Sequence, residues 1–176
     1  MPHVRRDEGF TLVELLVVVA ILSVLAAIAG TRMMRAKMSA GEASAVASLR
    51  VINSGQASYS SSCAGGGYAI DLADLALPPS GSAEGFVSPD LSSNGVHKSS
   101  YVLSIAPSGA AGTVDVTIAT CNSSGGVPVT AYHASADPVG INNGARYFAT
   151  DKRGTIYQDQ SAALANPIPD SATVFR

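Results

Sequence analysis

Residues 9–22 read GFTLVELLVVVAIL, an apolar run with a single carboxylate, Glu14, set into its first turn. Between Phe10 and Gly30 that glutamate is the sole charged side chain. About 20 apolar residues at roughly 1.5 Å rise cover the roughly 30 Å hydrocarbon core of a bilayer. The run therefore predicts a membrane-spanning helix, and it leaves a question about the acid inside it.

The chain has 176 residues, 47% of them hydrophobic and only 14% charged, and much of that apolar excess sits in the one run. Beyond Ser60, Ser, Gly, Ala and Thr dominate with short β-branched stretches, which is the composition of an exported, loop-rich domain. The net charge is -2, with no basic stripe interleaved with aromatics, so no nucleic-acid contact is expected.

Three readings of the N-terminus compete. A removable secretory signal would use MPHVRR as its basic region and Ala27-Ile28-Ala29 as a small-x-small cleavage site, but the apolar run exceeds the usual length of about 7–15 residues. A plain single-pass anchor leaves Glu14 as a tolerated defect. The third reading explains more residues. Gly9-Phe10-Thr11-Leu12-Val13-Glu14 closely resembles the processing signature of type IV prepilins and type II secretion pseudopilins, a class III signal peptide. The likeness extends through the apolar helix and its continuation to Ser60.

That resemblance implies that a prepilin peptidase cuts after Gly9 and that Phe10 is then N-methylated by the same peptidase/N-methyltransferase. It also implies an inner-membrane precursor in a bacterium, inner-membrane assembly machinery, and identical or related pilin subunits as partners in an extracellular or periplasmic filament. Cleavage leaves an ammonium at Phe10, at the positive end of a helix dipole, where a cation is unfavourable. A carboxylate four residues on lies one turn away and can pair with that ammonium or with a neighbouring subunit's. Phe10 and Glu14 are thus the expected assembly residues. Charge counting points the other way: Arg32, Arg35 and Lys37 beyond the run outweigh Arg5 and Arg6 before it, and alone would hold the C-terminal domain in the cytosol. The leader signature is the more specific signal.

Past the membrane run, Met34, Met38, Ala45, Leu49, Ile52, Gln56 and Tyr59 recur at helical spacing and predict one packing face, with Arg35, Lys37, Glu42 and Arg50 opposite. Gly30, Gly41 and Gly55 are weak points, and a melted segment at Gly30 is plausible. The expected organisation is a leader over 1–9, a transmembrane and filament-core helix over 10–30, its amphipathic half over 31–62 and a globular head over 63–176. The head opens at the terminator Cys63-Ala64-Gly65-Gly66-Gly67. Asp71–Ala76 predicts a short helix closed by Pro78-Pro79. Strands are expected over 101–105, 113–120, 127–132, 146–150 and 155–158, with a hairpin turn at Asp151–Gly154 and an irregular tail. The fold class is α+β: a long N-terminal helix packed on a C-terminal antiparallel sheet, as in pilins.

In an exported domain Cys63 and Cys121 are expected to pair; two free thiols suit a cytosolic one. No catalytic residue and no cofactor is expected. His3, His97 and His133 are isolated, without metal-ligand spacing, and Gly65–Gly67 lacks the lysine of a phosphate loop. The acidic and amide residues Asp137, Asn142, Asn143, Asp159 and Asp170 are sparse, and turn chemistry explains them better than a calcium loop. The favoured function is a structural subunit of a type IV pilus or pilus-like filament. The alternatives are a type II secretion pseudopilin and an anchored, exported binding protein that never polymerises.

Overall fold

The computed structural model describes residues 9–140 and 146–176. Helix α1 spans Leu12–Ser62 and passes through two compact units, one ending at Lys37 and one beginning at Met38. In the first unit every described side chain of α1 is exposed. The helix is unbroken through Gly30, so no melted segment is present there.

In the second unit α1 becomes amphipathic. Ala45, Leu49, Ile52 and Tyr59 are buried in the main core, and α1 gives way at Gly65 and Gly66, both with positive φ. Helix α2 (Leu72–Ala76) is capped by the Asp71 carboxylate, which accepts from the Asp74 N–H at 2.8 Å. A 3-10 turn, Pro89–Leu91, follows.

Six antiparallel strands form one sheet in chain order: β1 (Val96–Lys98), β2 (Tyr101–Pro107), β3 (Tyr132–Pro138), β4 (Tyr147–Asp151), β5 (Ile156–Asp159) and β6 (Thr173–Val174). The register pairs Leu103 with Ala136, Ala136 with Phe148, and Ile105 with Ala134. These side chains join the core with α1. The small Ala134 and Ala136 at the sheet centre leave room for Tyr59, Tyr101 and Phe148, all fully buried. On the reverse face, Ala149, Tyr157 and Ile168 form a smaller cluster with Leu164 and Ala172 of the C-terminal segment.

Several expectations need correction. The alternating stretch 113–120 is not a strand; it belongs to an excursion between β2 and β3 that touches Val129 through one bridge from Asp115. Alternation predicts a half-buried face, but Val114 remains 58% exposed and Ile118 48%. The strand expected over 127–132 starts only at Tyr132 and runs to Pro138. The tail contributes β6, with Phe175 donating its N–H to the Ile156 carbonyl at 2.9 Å. Met34 is exposed and lies outside the packing face.

Glu42 is buried rather than opposite the core. Its place follows the same stripe: 42, 45, 49, 52, 56 and 59 alternate steps of three and four. Gly41 and Gly55 are sites of close approach. A Cβ at Gly55 would lie 2.8 Å from the Phe86 carbonyl oxygen, and one at Gly41 2.8 Å from that of Ser99.

Candidate assembly site

The N-terminal end of α1 is built by a reciprocal cap. Thr11 precedes the first helical residue, and its hydroxyl oxygen accepts from the Glu14 N–H at 3.2 Å. The Glu14 carboxylate reaches back to accept from the Thr11 N–H at 3.0 Å and from the Thr11 hydroxyl at 2.8 Å. This is a capping box, which satisfies donors that a helix start would otherwise leave unpaired. Both carboxylate contacts use Oε2, and Oε1 has no partner among the described residues. A carboxylate has about four acceptor positions, so Glu14 can hold its cap and still receive a cation.

Phe10 stands one residue before the cap and is 91% exposed. A Cβ at Gly9 would meet nothing within 4 Å, so crowding does not call for glycine there. Downstream, α1 is long and apolar enough to cross a membrane. Its hydroxyl at Ser23 is satisfied inside the helix, donating to the Val19 carbonyl at 2.6 Å. Gly9, Phe10 and Glu14 are thus brought together at one helix end. The sequence reading missed Thr11, although Thr-x-x-Glu ahead of an apolar run is the signature of a capping box.

In the head, α1 is fastened by buried and half-buried polar side chains. Gln56 donates to the Ala69 carbonyl and accepts from the Ala69 N–H, both at 2.9 Å. The Asn53 side-chain oxygen Oδ1 accepts from the Tyr132 hydroxyl at 2.9 Å. Arg146 donates through two nitrogens to Glu42 Oε2 and through a third to Gln158 Oε1 at 2.9 Å. Its guanidinium also lies over Phe148 and Phe175, 5.6 Å and 5.5 Å from the ring centres. Burial, reinforced by the charge of Glu42, pushes the Tyr101 hydroxyl up to about 12, while that hydroxyl donates to the Arg146 carbonyl at 2.8 Å.

Cys63 and Cys121 are joined by a disulfide, which ties the C-terminal end of α1 to the excursion between β2 and β3. Among the described residues no group of three His, Cys, Asp or Glu could hold a metal ion. His97 is exposed on β1 and His133 buried on β3, whereas His3, Asn142 and Asn143 lie outside the described residues. A shallow cavity of 380 Å³ is lined by Asp151, Lys152, Arg153 and Asp170, but Arg153 is already paired with both acids.

The prokaryotic N-terminal methylation motif matches this chain over residues 4–30. Neither a curated protein nor a solved structure matches the chain. The matched segment contains Gly9, the Thr11–Glu14 cap and the apolar run, and it supports a class III signal peptide of the type IV pilin and pseudopilin kind. Together with the apolar helix it fits a membrane-anchored precursor and points to a structural subunit rather than an enzyme.

Proposed function

We propose that this chain is a structural subunit of a type IV pilus or pilus-like filament, released by cleavage after Gly9 and polymerised through α1. The carrying observation is Oε1 of Glu14, which has no partner among the described residues and is held by its cap at the start of an apolar helix whose described side chains are all exposed up to Lys37. Cleavage frees the Phe10 amine one residue before that cap. The ammonium of an incoming subunit pairs with Oε1, while Oε2 keeps the helix start intact.

An unpaired charge within the bilayer costs about 2.5–3.5 kcal/mol at its centre and less near an end. Pairing across subunits removes part of that cost for both partners and sets the stagger between them. The apolar face exchanges lipid for neighbouring helices, and the head remains outside. Glycine at position 9 is then a requirement of the peptidase, since its surroundings in the structure are open.

Glu14→Gln keeps an oxygen for the cap but removes the charge. The variant is expected to insert and to be cleaved normally, yet to yield no sheared filaments by electron microscopy. Normal filament yield from Glu14→Gln would overturn the proposed pairing.

A further inference from the structure

The segment just past the apolar run carries a charge pattern that the pairing of Phe10 with Glu14 does not use. Arg32, Arg35 and Lys37 fall within six residues, and no acid occurs between Glu14 and Glu42. All three side chains are exposed, and none has an ion pair or hydrogen bond among the described residues. At about 100° per residue, Arg32 and Arg35 stand about 60° apart while Lys37 lies about 140° from Arg32 on the other side, so the cations encircle the helix.

Their height is also informative. They stand about 3, 7.5 and 10.5 Å beyond Gly30 along the axis. A bilayer's polar layer is about 5–7.5 Å deep on each side of the hydrocarbon, so Arg32 falls within it and Arg35 at its outer edge, and the lysine's flexible stem reaches back to it. Guanidinium groups bind phosphate oxygens in pairs, and an ammonium binds them as a point charge.

We propose that Arg32, Arg35 and Lys37 form a collar that binds the phosphates of anionic lipids on the head side of the membrane and fixes the depth of α1 before assembly. The proposal rests on the membrane-anchored reading above. It also gives the reversed charge asymmetry a use: the cations hold the helix at its trans boundary, opposite the Phe10 end. Each cation near an anionic surface enriches such lipid by up to about fivefold.

The test uses the mature full chain reconstituted in phosphatidylcholine vesicles containing phosphatidylglycerol, with spin-labelled versions of each lipid as probes. The expected result is a motionally restricted fraction at least about twofold larger for phosphatidylglycerol at low salt, falling toward parity at high salt. Arg32→Gln/Arg35→Gln/Lys37→Gln should insert equally and show parity throughout. Parity in the unmodified chain, or a preference that survives in the triple variant, overturns the collar. If parity is joined by loss of filaments in the triple variant, the cations meet acids of a second copy instead. A chain that prefers phosphatidylglycerol but never polymerises overturns the filament reading and leaves the collar standing, whereas absence of any restricted lipid overturns both.

Discussion

Replacing Glu42 by Gln tests the clamp that ties the start of the head's helix to β4 and β5. The substitution keeps the shape and removes the charge that faces Arg146. The Glu42 side chain is 11% exposed and that of Arg146 30%, so the pair lies between the solvent-exposed and fully buried limits. Exposed pairs contribute about 0–1 kcal/mol, and breaking a buried one costs about 3–5 kcal/mol. A loss of about 2 kcal/mol is expected, which for a domain of this size lowers the melting temperature by about 6–8 °C. The assay is thermal melting of the full chain in detergent, followed by near-ultraviolet circular dichroism, in a cycle with Arg146→Gln and the double variant. A second readout is specific to charge. Burial is the larger cause of the raised Tyr101 hydroxyl and Glu42 the next, so Glu42→Gln should bring Tyr101 down from about 12 while leaving it above the ordinary 10. Because the folded value is raised, the stability linked to Tyr101 is complete below pH 10 and is lost as pH rises towards 12. A melting temperature within 1 °C of the parent, with no coupling in the cycle, refutes the clamp.

The double variant Cys63→Ser/Cys121→Ser opens a loop of 58 residues and should lose about 4 kcal/mol, seen as a lower urea midpoint that reducing agent also produces in the parent. Gly55→Ala should cost about 1–2 kcal/mol net, since its methyl meets the Phe86 carbonyl oxygen, whereas Gly30→Ala, with open space around it, should raise helicity; equal effects on melting and circular dichroism would contradict the close approach. His133 is held below its ordinary 6.5 by burial, against the opposing pull of Asp137 and Asp151, so the unfolded chain takes up the proton first and stability falls as pH drops below 6.5. His133→Gln should flatten that slope, and a ring already protonated at pH 6 by NMR would contradict it.

What could be read from the residues was the part written locally. The apolar run and the step of three and four carry α1, the glycines after Cys63 end it, and Asp71 with Pro78 frames α2. Aromatic and β-branched residues mark β2, β4 and β5. The strand β3 was displaced because His133-Ala134-Ser135-Ala136-Asp137 has little intrinsic β character; its small residues are there to admit the large side chains around it. In contrast, Val114, Val116 and Ile118 alternate as a strand should, yet the segment's pairing with 128–130 is limited to one bridge and a few backbone hydrogen bonds. Glu42 was misplaced because its partner Arg146 lies 104 residues away, although the helical stripe already included its position. At the candidate assembly site the residues alone suggest Gly9, Phe10 and Glu14, whereas the contact of Thr11 with Glu14 emerges from the capping geometry.

The most direct test of the account is mass spectrometry of the N-terminal peptide from membrane-held and sheared surface material. A chain that starts at Phe10 with a methylated amine is expected in both fractions. A chain that keeps its first nine residues, or one that starts at Gly30, contradicts that expectation.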